Sequence, residues 1–266
     1  MQSLGFQYAE RRFAIARAYQ EEKLSCCDID PALYGDRVDA TLLGFQVIQA
    51  MLDSGVELTG QVHVSQRIRQ RSPVALGETL TQTGRITAIE TVDRGDLIHA
   101  AFDYTTPAGD VAVVVERSSL RPSAAADGLA PPKRTPSPPV ERPAGFRVLG
   151  EKQLQPELVA HYSAEAGNLI HSDPDVAREH GLRAPIAAGL MGIHFLIEAL
   201  STPAPSDAFD VEIRFRRPMF WDDRLTVLGR EAAGRLVELR IENEQAKATS
   251  VATVHQLAAA GVGSVA

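Results

Sequence analysis

The sequence predicts an α+β fold made of two similar units, each with a central helix and an antiparallel sheet. Three observations carry this prediction. A motif recurs at a constant offset, each half has an apolar helix followed by alternating stretches, and a proline-rich segment lies between the halves. Together they favour an internal duplication over one large domain.

The recurring motif spans residues 68–84, IRQRSPVALGETLTQTG, and residues 213–229, IRFRRPMFWDDRLTVLG. The offset of 145 residues (213 − 68) is the same at every identical position. The matching residues of the first half are Ile68, Arg69, Arg71, Pro73, Leu80, Thr81 and Gly84. The same offset places Gly44, in LLGFQVIQAML, opposite Gly189, in AAGLMGIHFLIEAL. One spacing kept across a helix and two strands indicates that both halves share one architecture.

Hydrophobic periodicity predicts the elements of each unit. Residues 189–200 are apolar on nearly every face, which is typical of a buried helix, and Ser201, Thr202 and Pro203 predict its end. The stretches VEIRFRRPMF, RLTVLGREA, RLVELRIEN and KATSVATVHQL then alternate as strands do. A sheet wrapped around one helix resembles the hotdog fold, so the whole chain is predicted to be a double hotdog whose two sheets pair.

The predicted domain boundaries follow from composition. Residues 121–146, RPSAAADGLAPPKRTPSPPVERPAGF, are rich in proline and alanine and are unsuited to a regular helix or an interior strand. We predict a degenerate first unit at 1–121, a linker at 122–146 and a second unit at 147–266.

Composition narrows the functional class. A net charge of −7 and the lack of a basic stripe argue against nucleic-acid or membrane-surface binding. The two cysteines, Cys26 and Cys27, are adjacent, which favours a reducing cytoplasm over a disulfide scaffold. No apolar run has the length of a membrane span, and the amphipathic N-terminus lacks the pattern of a secretory signal. No metal-ligand spacing or phosphate-binding glycine loop is present, so we predict neither a metal nor a cofactor.

The segment most suggestive of chemistry is HYSAEAGNLIHSDPDVAREHGLRAPIAAGLMG, residues 161–192. It resembles the MaoC-like family of (R)-specific enoyl-thioester hydratases and 3-hydroxyacyl-thioester dehydratases. The residues that carry the resemblance are Ile170, His171, Asp173, Pro174, Pro185, Ile186 and Gly189. It covers most of residues 147–256 and extends more weakly to the first half.

The resemblance implies that His171 is the general base, since a neutral imidazole suits that task near neutral pH. It places Gly189 in the oxyanion hole, where backbone N–H groups at a helix start stabilise the enolate oxygen. The family's aspartate, five residues before the histidine, is replaced here by Ala166. Asn168, which can orient water, and Glu165, which can carry a proton, are the candidates to replace it.

The remaining residues of the predicted site would bind substrate. We assign Tyr162, Ile186 and Ala188 to substrate binding from their place in the motif segment. Arg183 is added because its charge suits a phosphate or a carboxylated substrate.

Simpler roles compete with several of these assignments. His171 could bond a carbonyl as a structural histidine, Glu165 could be a surface carboxylate, and Asp173 most simply caps the next helix. His161, His180 and His194 are isolated and are read as structural or solvent-facing. The constant offset places Cys26 opposite His171, which favours a site lost after duplication over a nucleophilic cysteine.

The leading functional hypothesis is a hydratase or dehydratase acting on a thioester of CoA or of an acyl carrier protein. One alternative is a hotdog thioesterase or a specialised biosynthetic lyase or isomerase, although no acidic residue lies at the start of the second helix. Another is an acyl-thioester-binding protein without catalysis. A homodimer is compatible with the sequence.

Overall fold

The computed structural model describes residues 3–123 and 144–258. Their strands form one ten-stranded antiparallel sheet in the order β1-β3-β4-β5-β2-β7-β10-β9-β8-β6. Strands from the first half occupy one side of the sheet and strands from the second half the other, and β2 and β7 join them. The predicted α+β, double-hotdog architecture with paired sheets is confirmed.

The bounds of the regular elements follow the predicted alternation of each half. The strands are β1 Arg11–Phe13, β2 Val62–Gln70, β3 Leu80–Val92, β4 Gly95–Thr105, β5 Val111–Pro122, β6 Phe146–Gln153, β7 Phe209–Phe215, β8 Arg224–Ala232, β9 Arg235–Asn243 and β10 Ala248–Leu257. The helices are α1 Arg17–Cys26, α2 Leu43–Asp53, α3 Pro156–Ser163, α4 Pro174–Glu179 and α5 Gly189–Ser201. None of these helices is long and apolar enough to cross a membrane.

The two central helices approach each other at their starts, on the inner face of the sheet. A side chain at Gly44, at the start of α2, would place its Cβ 2.5 Å from Cδ2 of Leu190 on α5. Glycine therefore permits the close approach of the two helices at this point. The α5 helix is buried over almost its whole surface, which explains why its sequence has no polar face.

The seam between the halves is formed by backbone and side-chain bonds. Ile68 of β2 pairs with Val211 of β7, and both side chains are fully buried. Arg67 donates two hydrogen bonds of 2.7 Å to the carboxylate of Asp210. The apolar pair and the bidentate ion pair fix the register between the two sheets.

No sequence pattern predicted α1, which packs against α3 of the other half. β5 extends to Pro122 and β6 begins at Phe146, the first and last residues of the predicted linker. Residues 124–143 of that linker lie outside the described residues, so the domain boundaries remain a prediction.

Candidate active site

The segment between α3 and α5 is built from short, individually capped turns. Gly167 has a φ of +64°, a left-handed conformation that glycine adopts without strain. The side-chain oxygen of Asn168 then accepts the backbone N–H of Ile170 at 3.2 Å. Asp173 caps α4 by accepting backbone N–H groups at its start, as its sequence predicted. These caps fix the turn that carries His171 on both sides.

Two hydrogen bonds tie this turn to the chain that enters α5. The N–H of Ile186 donates to the carbonyl of Ile170 at 3.2 Å. The carbonyl of Ile186 accepts from Nδ1 of His171 at 2.7 Å. His171 is therefore held at the entrance to α5 by Ile186, a residue from the other end of the same motif.

The bond to a carbonyl determines the form of the His171 imidazole. A carbonyl oxygen only accepts, so Nδ1 must carry the proton and Nε2 has a lone pair. Burial lowers the pKa of His171, and the Ile186 carbonyl offsets only part of that effect. Nε2 makes no hydrogen bond to the residues that the structure describes. The geometry gives a neutral, oriented imidazole with a free basic nitrogen near neutral pH.

Gly189 is the first residue of α5, and Ala188 is its N-cap. No side chain among the described residues caps this helix. The N–H of Met191 donates to the Ala188 carbonyl at 2.9 Å, so those of Gly189 and Leu190 are left for another acceptor. A Cβ on Gly189 would lie 3.1 Å from the Phe215 ring and 3.5 Å from Nδ1 of His63. The glycine keeps the helix start close to these two rings, and its own N–H lies at the positive end of the helix dipole.

Glu165 is bonded to the first half of the chain. Its Oε1 accepts from the hydroxyl of Tyr19 at 2.7 Å and lies 3.2 Å from Nζ of Lys23. The Lys23 side chain is 3% exposed, whereas that of Glu165 is 31% exposed. Nζ of Lys23 also lies 4.9 Å from the Phe45 ring centroid and donates to the carbonyl of Tyr162 at 2.9 Å. Glu165 thus closes a link between α1 and the segment after α3.

Two other predicted site residues, Tyr162 and Asn168, have structural contacts. Tyr162 is buried, and the side chain of Asn168 is already hydrogen-bonded. Tyr162 is fully buried, with its ring centroid 5.2 Å from Phe45 and 5.7 Å from His194. Asn168 is exposed and uses its oxygen to cap the turn before His171. Tyr162 therefore lies in the core, and Asn168 holds the backbone turn before His171.

Arg183 is already paired with carboxylates. Its guanidinium lies 2.8 Å from Asp222 and 2.5 Å from Asp223, and it stacks 4.0 Å above the Phe220 ring. The pairs raise the pKa of Arg183, the hydrogen bond to Asp222 most. A phosphate or carboxylated substrate would have to compete with these partners.

His194, predicted to be structural or solvent-facing, forms a buried hydrogen bond with a carboxylate of the first half. Its Nδ1 lies 2.7 Å from Oδ2 of Asp39, and both side chains are 0% exposed. Burial raises the pKa of Asp39. His194 and Thr41 together lower it by more than burial raises it, so the pKa of Asp39 lies below its ordinary value. The two residues are far apart in sequence, and no motif indicated their contact.

Cys26, opposite His171 in the duplication, lacks the features of a nucleophile. It is a buried free thiol, and burial raises its pKa by more than the nearby Lys23 lowers it. It is therefore a thiol near neutral pH, and the loss of a former site after duplication stays a prediction.

His63, which no sequence signal singled out, lies near the start of α5, behind the Phe215 ring. Its ring centroid is 4.6 Å from that of Phe215. Burial lowers the pKa of His63 well below its ordinary value, with a further contribution from Arg117. His63 and Arg117 belong to no motif found in the sequence, because two strands of the first half, β2 and β5, bring them to this place.

The other described parts of the molecule contain no metal-binding cluster, and a groove in them contains no predicted site residue. Residues 3–123 and 144–258 contain no group of three or more His, Cys, Asp or Glu side chains placed to hold a metal ion. A groove of about 490 Å³ lies beyond the end of α2, lined in part by Phe6, Val56 and Arg121. None of the predicted site residues lines it.

Comparisons with known proteins give structural likeness only. No family model matches the sequence, and no curated protein has a significant sequence match. HtdX from Mycobacterium tuberculosis is 22% identical, with a TM-score of 0.74 over 92% of this chain and 97% of that chain. A solved MaoC-like dehydratase is 16% identical, with a TM-score of 0.73 over 97% of this chain and 98% of that chain.

A thioesterase shares the same architecture. An acyl-ACP thioesterase from Bacteroides thetaiotaomicron is 11% identical, with a TM-score of 0.58 over 92% of this chain and 96% of that chain. At these identities the likeness shows the fold and does not choose between reactions. The chain therefore has the double-hotdog fold, in an arrangement also found in proteins named as dehydratases and thioesterases.

Proposed function

We propose that this protein is a hydratase or dehydratase of the MaoC-like family that interconverts 2-enoyl and 3-hydroxyacyl thioesters. The single observation that carries the proposal is the 2.7 Å bond from Nδ1 of His171 to the Ile186 carbonyl. It leaves Nε2 basic at the entrance to α5, whose first N–H groups have no side-chain cap among the described residues. A base and a helix start are the two groups that hydration of an enoyl thioester needs.

In the hydration direction, Nε2 of His171 removes a proton from water while the water oxygen bonds to Cβ of the enoyl group. The electrons of the C=C bond move toward the thioester oxygen, giving an enolate held by the N–H of Gly189. The electrons then return to Cα, which takes the proton from the imidazolium. The histidine is neutral again, and one water has been added.

This account uses one side chain for both proton transfers. Ala166 has no titratable group, Asn168 caps a turn, and the Glu165 carboxylate is bonded to α1. His171 can return the proton it removed, provided that Cα and Cβ lie on the same side of the ring. Asn168 would then act by holding the backbone beside His171, and Gly189 by polarising the thioester.

The test compares wild type, His171→Ala and His180→Ala with a panel of trans-2-enoyl-CoA thioesters, following loss of the conjugated absorbance. His180 is a matched control, because its Nδ1 also bonds a backbone carbonyl, that of Val176 at 2.9 Å, but on an exposed surface. We expect His171→Ala to lower kcat/KM by about 100-fold or more, the usual scale for a lost general base. His180→Ala should stay within about twofold of wild type, as expected for a surface substitution.

Other outcomes distinguish the alternatives. Release of free thiol without hydration would indicate a thioesterase, and tight binding of an acyl-CoA without turnover would indicate a binding protein. Equal activity of wild type and His171→Ala would remove His171 from the mechanism. We prefer the hydratase because the nearest carboxylate on each side of His171 along the chain is already bonded: Asp173 caps α4, and Glu165 is bonded to Tyr19 and Lys23.

We further infer that the thioester is carried by CoA or by an acyl carrier protein, and that the enzyme acts in the cytoplasm. Cys26 and Cys27 are both free thiols, which supports a reducing compartment.

A further inference from the structure

A cluster of polar side chains lies on the inner face of the first-half sheet, where apolar residues are expected. We call it the polar patch, and its members are His63 and Gln66 of β2 and Arg117 and Ser119 of β5. His63 pairs with Ser119 across the two strands, and Gln66 pairs with Arg117. The next residues on the same face, Ile68 and Val115, are fully buried and apolar, as in an ordinary core.

The patch touches the starts of both central helices. A Cβ on Gly44 would lie 3.0 Å from Nε2 of Gln66, and a Cβ on Gly189 would lie 3.5 Å from Nδ1 of His63. An acyl group whose thioester oxygen is bound at Gly189 would therefore meet the patch. Residues of the first half thus contribute to a site whose base is in the second half.

The patch holds more hydrogen-bonding capacity than the described residues satisfy. Gln66 is 1% exposed, and neither its amide nitrogen nor its amide oxygen has a partner among them. Nε2 of His63 is also buried without a partner in the described structure. Buried polar atoms are normally paired, so these groups indicate a bound polar molecule or group.

The positive charge of Arg117 indicates that the bound group is an anion. It is 9% exposed, and its one hydrogen bond to the described residues runs from Nε to the Ser119 hydroxyl at 3.0 Å. No Asp or Glu of the described chain forms an ion pair with it. Burial lowers the pKa of Arg117 to about 10, so it remains a cation at neutral pH. A buried cation without an acidic partner favours an anionic ligand.

We propose that the polar patch binds a carboxylate at the far end of the substrate's acyl group, with Arg117 as the residue that determines specificity. The inference rests on the proposed function, since it names the acyl class of the same site. The preferred substrates would be enoyl thioesters of dicarboxylic acids. Gln66 and His63 would supply neutral hydrogen bonds to the same carboxylate or to a water beside it.

The test uses two thioesters of equal carbon number, trans-glutaconyl-CoA, which ends in a carboxylate, and trans-2-pentenoyl-CoA, which ends in a methyl group. We expect wild type to prefer glutaconyl-CoA by about 10- to 100-fold in kcat/KM, the scale of a charge-assisted hydrogen bond. Arg117→Gln should remove this preference mainly through KM, because the carboxylate lies away from the reacting carbons. Arg117→Lys should restore part of it.

The control is Arg85→Gln, which removes one positive charge from an exposed position of β3. It should leave the preference unchanged. If Arg117→Gln does not fold, the preference of wild type alone decides. Equal or better use of pentenoyl-CoA by wild type, or an equal loss on both substrates in Arg117→Gln, would overturn the proposal.

A binding measurement separates this proposal from the proposed reaction. Calorimetry with the saturated analogues glutaryl-CoA and pentanoyl-CoA needs no turnover. Tighter binding of glutaryl-CoA that Arg117→Gln abolishes would support the patch even if neither enoyl thioester were hydrated. If pentenoyl-CoA is hydrated but glutaryl-CoA does not bind more tightly than pentanoyl-CoA, the proposed reaction is supported and carboxylate binding at the polar patch is rejected.

Discussion

His171 and His194 lie in the same half of the chain and bond through the same ring nitrogen at the same distance. Nδ1 of His171 lies 2.7 Å from the carbonyl of Ile186, and Nδ1 of His194 lies 2.7 Å from the carboxylate of Asp39. The first histidine is partly buried at the entrance to α5, and the second is fully buried within that helix. They differ in the acceptor and in burial.

The acceptor determines what each imidazole can do. A neutral carbonyl orients His171 and leaves its pKa lowered by burial, which suits a base that must be neutral before the reaction. The hydrogen bond between His194 and Asp39 is fully buried, so removing either partner leaves the other without a hydrogen bond at a large cost in desolvation. We infer that His171 serves chemistry and that His194 with Asp39 holds the two halves together.

The largest effect that would test this division is the loss of stability in Asp39→Ala. The substitution removes the acceptor of a fully buried histidine and the cap of a short turn, in which Asp39 accepts the N–H of Thr41 at 2.8 Å. We expect the free energy of unfolding, measured in urea, to fall by about 3–5 kcal/mol, the range for breaking a buried pair.

Asp30→Ala is the matched control for that measurement. Asp30 caps an equivalent turn by accepting the N–H of Ala32 at 2.9 Å, but in an exposed position and without a histidine partner. Its loss should cost about 0.5–2 kcal/mol, the value of a cap alone. Equal losses in the two variants would mean that the His194 contact adds nothing to stability.

The pH dependence of activity tests the inference that His171 acts in the reaction. The reactive form of His171 is neutral, and its pKa in the folded protein lies below the ordinary value of 6.5. We expect kcat/KM for hydration to be constant above that midpoint and to fall about tenfold per pH unit below it. A midpoint at or above 6.5 would contradict the assignment of His171 as the base. The same fall of kcat/KM at low pH in the residual activity of His171→Ala would contradict it too.

The fold could be predicted from the sequence because duplication and apolar periodicity are local signals repeated at one spacing. The recurrence of Ile68 and Gly84 at Ile213 and Gly229 fixes the strand pattern of both halves. The apolar surface of residues 189–200 likewise predicts a buried helix. These signals need no knowledge of which strands become neighbours.

The candidate site could be predicted only where its residues follow one another along the chain. His171 and Ile186 belong to one motif, and their hydrogen bond joins the two ends of that motif. Asp39, His63 and Arg117 come from the first half and reach the second half through the pairing of β2 with β7 and the packing of α2 against α5. A pairing of this kind depends on the tertiary fold and has no spacing that a sequence reveals.

The substitution Glu165→Gln has the smallest expected effect. It distinguishes a residue that stabilises the site from one that transfers a proton in the reaction. Its carboxylate bonds Tyr19 and Lys23, so Glu165→Gln should lower the free energy of unfolding by about 1–2 kcal/mol, less than a fully buried pair because one side is open to solvent. We expect kcat/KM to change less than about tenfold, below the scale of a lost proton carrier. Tyr19→Phe, which removes one bond to the same carboxylate, should follow it in stability and activity. If Glu165→Gln instead lowers kcat/KM by about 100-fold or more while Tyr19→Phe does not, Glu165 carries a proton and His171 does not act alone.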